Sequence, residues 1–328
     1  MHIENDVVLD LELPYRERLM IRRTRYVGAR PGPRIALVTG VHGDELEGLY
    51  LCHRLGRALE DLEATHPGAL HGTVELWPGL NPLGLDTLKR FVPIFDLDLN
   101  RTFPGHPEGI LPQRVAAATI AHLTGADLVV DIHASNIYLR EIPQVRINTE
   151  FAERLTPMAQ GMNLDLIWLH GAMTVLEATL AHSLNAVGTP CLVVEMGVGM
   201  RVTPQYTDQL LTGILHTAQN MGALASEVAL PPLAHHPLIA DDRNVHYLNA
   251  ETSGLFIPEV EHWEAVASGQ RLGRIVSPHH GEVLSEVCAP VDGILFTLRE
   301  YPLVYEGSLM ARIKGHGPEA HSDGEVQP

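Results

Sequence analysis

Four short apolar runs rich in β-forming residues govern how this chain can fold: RIALVT at residues 34–39, VELW at 74–77, LVVDI at 128–132 and CLVVE at 191–195. Each is continuous rather than alternating, the signature of a strand buried on both faces. The segments between them carry helical periodicity, notably at 113–123, 150–159 and 206–220, with another helix starting near Leu46. Strands that alternate with helices predict an α/β sheet covered on both sides, and in such sheets chemistry gathers at the carboxyl ends of the strands.

Near Pro231-Pro232 the texture changes. From about Tyr247 the chain breaks into short strand-like pieces, GLFIPEV, RLGRIVS, GEVLSEV, DGILFTL and SLMARI, separated by Gly, Pro and Asp. This pattern predicts a small β domain. The expected organisation is an α/β domain over residues 1–229, a β domain over 230–314, and a polar tail, GHGPEAHSDGEVQP at 315–328, that composition marks as disordered.

Composition removes several classes of function. Forty acids against 23 bases give a formal charge of −17, which would repel a phosphate backbone, so nucleic acid is not expected as a partner. The first thirty residues interrupt every apolar run with charge, and no later stretch reaches the length of a membrane span. A cytoplasmic protein that touches neither membrane nor nucleic acid is expected. Three cysteines at unrelated spacings support neither a disulfide framework nor a cysteine-based zinc site.

Nineteen histidines raise the chance of a metal site and of a false metal motif alike, so spacing and context decide. His42 and Glu45 form an H-x-x-E pair in the loop that follows the first strand, where Gly40 and Gly43 allow a tight turn. An imidazole and a carboxylate at that spacing can converge on one cation; a helix-capping loop with a surface Glu has the same spelling. A catalytic zinc site needs three protein ligands and one open position, and His133, at the end of LVVDI, supplies the third. A histidine beside an apolar run is otherwise a satisfied core residue. Asp131 would lie on the same strand face and could orient a ligand or cap a loop. Glu195, closing CLVVE, is the candidate base for the metal's water; the alternative is a buried carboxylate tied to an arginine. Farther along, Asn100-Arg101 pairs an amide with a guanidinium, a combination that can hold a substrate carboxylate, and Arg90 could polarise a scissile carbonyl. With Asp96 and Asp98 nearby, a structural ion-pair cluster is the competing account.

Taken in order, VHGDELEG, DLNRTFPG, DIHAS and VVEMG resemble the succinylglutamate desuccinylase/aspartoacylase family, relatives of the zinc metallocarboxypeptidases, over roughly residues 30–225. The resemblance implies a three-layer α/β/α zinc carboxypeptidase-like domain with a mixed sheet. It implies one Zn²⁺ on His42, Glu45 and His133, a water-activating Glu195, and a carboxylate clamp at Asn100 and Arg101. Arg90 matches the family's carbonyl-polarising arginine, although the interval to Asn100 is longer than in the aspartoacylase branch. The C-terminal pieces resemble a barrel-sandwich module like lipoyl or biotinyl carriers, and like the second domains of ectoine-catabolic deacetylases of the family. A carrier shows its lysine in a hairpin, and this region has none before Lys314, so a scaffold narrowing the cleft or building a homo-oligomer is expected instead.

The function so implied is removal of an acyl group, acetyl or succinyl in class, from a small N-acylated amino acid. A metallocarboxypeptidase acting on short peptides, an esterase-like hydrolase and a non-catalytic zinc-dependent binding protein stand as alternatives. Specificity is expected in loops at 137–148 and 168–174, and the ligand types also admit Mn²⁺, Co²⁺ or Fe²⁺.

Overall fold

The computed structural model describes residues 1–171 and 177–316. The chain divides into two compact units. One comprises Met1–Ile137 with Pro143–Ile239; the other takes Tyr138–Ile142 together with the chain from Ala240 onward. Most of the tail expected to be disordered, residues 317–328, lies outside the described residues, as does the 172–174 part of the second specificity segment.

The first unit contains, in order, β1 (His2–Glu12), β2 (Arg18–Val27), β3 (Arg30–Thr39), α1 (Glu47–Thr65), β4 (His71–Trp77) and α2 (Pro82–Thr87). It continues with α3 (Leu111–Leu123), β5 (Leu128–His133), β6 (Leu139–Asn148), α4 (Ala152–Gln160), β7 (Leu166–His170), α5 (Leu180–Ala186), β8 (Cys191–Gly197) and α6 (Pro204–Asn220). Its strands are ordered β1-β2-β4-β3-β5-β8-β6-β7. Pairing is parallel for β4-β3-β5-β8 and for β6-β7, and antiparallel for β1-β2-β4, so the sheet is mixed.

Alternation along the central strands explains the layers. Ile35, Leu37, Leu128, Val130, Leu192 and Val194 join Leu51 and Leu55 of α1, Leu155 of α4 and Leu210 of α6 in one core. Their neighbours Ala36, Val38, Val129 and Cys191 join Val115 of α3 and Leu180 of α5 in a second core on the opposite face. Successive side chains of a strand point to opposite faces, so continuous apolar runs require helices on both. The result is a three-layer α/β/α domain.

Three segments depart from the sequence expectation, one of them residues 168–170, expected as part of a loop but forming the end of strand β7. The first thirty residues, assigned no element, form the β1-β2 hairpin, in which Arg18 pairs with Asp10, Arg23 with Asp6, and Arg25 with Glu4 and Asp6 across the strands. Residues 137–148, expected as a loop, are largely strand β6. Its charged residues, which suggest a loop in sequence, find partners: Glu141 accepts from Arg312 at 2.6 Å, and Arg146 lies 3.3 Å from Glu195.

The second unit begins within β9 (Leu238–Asp241) and continues with β10 (Val245–Asn249), β11 (Gly254–Pro258), β12 (Ala265–Val266), β13 (Arg271–Val276), β14 (Val283–Cys288), β15 (Gly293–Arg299), β16 (Leu303–Val304) and β17 (Leu309–Gly315). An antiparallel sheet ordered β14-β13-β11-β16 packs through Phe256, Leu272 and Ile275 onto Leu295, Met310 and Ile313 of β15 and β17. The start of β6 completes that second layer by pairing Leu139, Arg140 and Glu141 with Arg299, Leu298 and Thr297. Lys314 sits within β17 rather than in a hairpin. Among the described residues no helix is long and apolar enough to cross a membrane.

Candidate active site

Strands β3, β5 and β8 run parallel and end level with one another, Thr39 opposite Ile132 and His133 opposite Glu195. Their carboxyl ends therefore deliver His133, Glu195 and the loop that leaves β3 to the same edge. That loop must turn within a few residues to enter α1. Gly40 does so with φ of +64°, and Gly43 passes so close to Gly84 that a Cβ would collide with its backbone. The Gly43 amide donates to Arg90 O at 3.3 Å, and Asn81 donates through its Nδ2 to the same carbonyl at 3.4 Å, tying the loop to the segment that carries Arg90.

The three candidate ligands come together. His42, Glu45 and His133 are all buried, with one ligand atom from each lying within 4.8 Å of the others. Glu45 sits between the imidazoles, its Oε1 2.8 Å from His42 Nδ1 and its Oε2 2.9 Å from His133 Nδ1. The far nitrogens face carboxylates, His42 Nε2 to Asp98 Oδ1 at 3.0 Å and His133 Nε2 to Asp131 Oδ2 at 3.1 Å. Carboxylates behind histidines in this way fix ring orientation and raise ligand basicity.

The ionisable groups of the cluster act strongly on one another. Burial alone would lower both imidazoles, yet Glu45 and Asp98 around His42, and Asp131 and Glu45 around His133, raise them instead. Burial would raise Glu45, but the two histidines hold it well below the usual carboxylate range. Asp98 is likewise pushed up by burial and brought down to about 2 by His42, Arg90 and Arg101. Burying a carboxylate is costly unless positive charge or hydrogen bonds compensate it. The approach of Glu45 to His42 Nδ1 lacks hydrogen-bond geometry, so among the described residues that buried nitrogen has no hydrogen-bond partner. Two Nδ1 atoms and a carboxylate, backed by Asp98 and Asp131, fit a divalent metal, which would supply the same charge with both imidazoles neutral.

Arg90 reaches this cluster, its NH1 donating to Glu45 Oε1 at 2.6 Å, and Glu195 is among the carboxylates whose charge it feels. Glu195 is half-buried beside His133 in register, with Arg146 NH1 3.3 Å from its Oε1 and the Arg146 guanidinium 5.3 Å from the Trp168 ring centroid. Glu195 thus stands beside the cluster and is also paired with an arginine. Asn100 and Arg101 lie in a single 3₁₀ turn (Leu99–Arg101) capped by Asp98, whose Oδ1 accepts from Asn100 N at 2.8 Å. Asn100 is buried, its Oδ1 accepting from Leu180 N at 3.0 Å, whereas Arg101 is exposed and donates to Asn100 O. Among the described residues the direct partner of the Asp98 carboxylate is His42, while Arg90 and Arg101 act on it through their charge.

Sequence reasoning missed Asp98 as a histidine partner, and it missed Arg146. The first could have been suspected from a carboxylate two residues before Asn100; no local signal marks the second.

A mixed sheet covered on both faces, with a His-Glu-His cluster able to hold a metal ion and a further carboxylate at the ends of its parallel strands, defines an α/β fold of the hydrolase class. Residues 31–221, more than half of the chain, match the family described as the succinylglutamate desuccinylase/aspartoacylase catalytic domain, and the chain belongs to that family. It is 26% identical over 290 residues to an N-alpha-acetyl-L-2,4-diaminobutyric acid deacetylase of Halomonas elongata, covering 86% of this chain and 82% of the relative. The product-bound Ectoine utilization protein EutE of Ruegeria pomeroyi superposes with a TM-score of 0.79 at 22% identity, over 96% of this chain and 95% of that one. A succinylglutamate desuccinylase/aspartoacylase from Rhodobacter sphaeroides does so with a TM-score of 0.80 at 23% identity, over 97% and 96%.

Proposed function

We propose that this protein is a zinc-dependent hydrolase that removes an acetyl- or succinyl-class acyl group from a small N-acylated amino acid. The observation that carries the reading is the convergence of His42, Glu45 and His133 with Glu195 in register beside His133. Family membership and the deacetylase relative support the same chemistry.

Zinc on His42, Glu45 and His133 would acidify a water and polarise the acyl carbonyl. Glu195 takes a proton from the attacking water and hands it to the amine nitrogen as the C–N bond breaks, so that one water is consumed and a carboxylic acid and an amine leave. Arg90 uses one nitrogen to hold Glu45, which leaves other donors of its guanidinium for the oxygen on which negative charge develops. Asn100 Nδ2 and the exposed Arg101 guanidinium hold the substrate carboxylate, and the Asp98 cap links their turn to His42. Two buried thiols and a half-buried one, all unpaired, fit a reducing compartment, and the cytoplasm is the proposed location.

The test couples metal content by elemental analysis with amine release from N-acetyl and N-succinyl amino acids and short peptides. N-α-acetyl-L-2,4-diaminobutyrate is the first compound to try. About one zinc per chain, lost in His42→Ala and His133→Ala, with turnover of an N-acyl amino acid but no peptide, is the expected outcome. Metal retained in both variants, or turnover of peptides alone, would overturn the reading.

A further inference from the structure

Glu47 is a buried carboxylate that the proposed chemistry does not use. It opens α1 two residues after Glu45, and its side chain is wholly buried. A carboxylate in such a place costs several kcal/mol unless its oxygens are bonded. Only one is. Oε2 accepts from Thr203 N at 2.9 Å, whereas Oε1 is buried with no hydrogen-bond partner among the described residues. A leucine would fill the space without that penalty, so the acceptor itself must be needed.

What it holds is the loop that follows Glu195. Gly197 lies two residues beyond Glu195 at the end of β8, in the left-handed region at φ of +73°, and a methyl group there would run into Glu47 Oε1. Residues 198–203 then lead to α6, whose first residues receive no side-chain cap from Thr203. An uncapped helix start leaves amides without partners, and Glu47 supplies an acceptor from another helix. A second tie runs in parallel, Met200 N donating to Asp44 O at 2.7 Å. The chain between His42 and Glu47 therefore grips the chain after Glu195 at two points, one of them a side chain that can be replaced.

We propose that Glu47 is a positioning residue: by bonding Thr203 N to the first turn of α1 and packing against Gly197, it fixes where the Glu195 carboxylate stands relative to His42 and Glu45. This rests on the reading of Glu195 as proton carrier. A displacement of about 1 Å at a reacting group can cost roughly a hundredfold in rate.

The experiment compares full-length, zinc-supplemented wild type with Glu47→Gln, Glu47→Leu, Gly197→Ala and Glu195→Gln, measuring zinc per chain, thermal stability, and kcat and KM for the N-acetyl amino acid that wild type turns over best. Glu47→Leu is expected to keep its zinc and its KM within about twofold while kcat per bound zinc falls roughly a hundredfold. Gly197→Ala, which displaces the carboxylate without removing it, should fall in the same direction. Glu47→Gln retains an acceptor for Thr203 N and should restore most of kcat. A kcat per bound zinc within threefold of wild type in both Glu47→Leu and Gly197→Ala, or a loss that appears only in zinc content, KM or folded fraction, would overturn the proposal while leaving Glu195 in its role. No turnover by wild type, or Glu195→Gln as fast as wild type, would remove the base reading and this inference with it.

Discussion

Replacing Asp98 by Asn tests whether the carboxylate behind His42 tunes the metal site. Asp98 Oδ1 accepts two hydrogen bonds, from His42 Nε2 at 3.0 Å and from Asn100 N at 2.8 Å. Asparagine keeps an oxygen for the Asn100 amide but removes the charge facing the imidazole. A hydrogen bond to a charged partner contributes about 1.5–3 kcal/mol and a neutral one about 0.5–1.5 kcal/mol, so the change should cost about 1–1.5 kcal/mol of metal binding. That corresponds to roughly a tenfold weaker site. Asp98→Ala loses both bonds, so it should weaken metal binding by about a hundredfold and also raise KM, because the turn carrying Asn100 and Arg101 loses its cap. Competition for zinc against a chromophoric chelator at fixed pH gives the affinities, and kcat and KM at saturating zinc give the rest. If Asp98→Asn binds zinc as tightly as wild type, or if Asp98→Ala leaves KM unchanged, the link drawn here between metal ligand and carboxylate clamp is wrong.

Gly43→Ala should abolish zinc binding measured by elemental analysis, because the added methyl meets the Gly84 backbone and forces the His42 loop away from Arg90. Burial pushes the Cys52 thiol up to about 12 and Cys191 well above its ordinary value, while Cys288 is only half-buried, so a colorimetric thiol reagent should find one reactive group in the folded protein and three after denaturation. Burial, helped by the charge of Arg140, lowers the pKa of His262. The unfolded chain then takes up that proton near the usual imidazole value of about 6.5 before the folded one does, so this group's stabilising contribution is complete above that pH and is lost below it. His262→Gln should accordingly flatten the fall in melting temperature between about pH 7 and 5; a slope identical to wild type would refute the assignment.

The strands that build the site were legible because burial on both faces writes them as continuous apolar runs. His133 and Glu195 could be paired as site residues because both end such runs. The β1-β2 hairpin was not legible: its acids and arginines satisfy one another across the strands, and in a linear reading that arrangement looks like a charged, structureless lead. Strand β6 was hidden for the same reason, since the partners of Glu141 and Arg146 lie far away in sequence. Asp98 illustrates the limit for the site. Its neighbour His42 is 56 residues away, and only the fold sets them 3.0 Å apart.

The short piece Tyr138–Ile142, which belongs with the C-terminal unit, also fixes an order of events during synthesis. Its pairing partner in β15 is made roughly 150 residues later, and at about 5–20 residues per second the wait is roughly 10–30 s. Through that interval the nascent chain carries a strand half-committed to a sheet that does not yet exist. The C-terminal unit cannot finish until a segment translated long before is returned to it, so a chain stopped short of β15 leaves that segment without its partner. Separating the two units at a single cut would do the same.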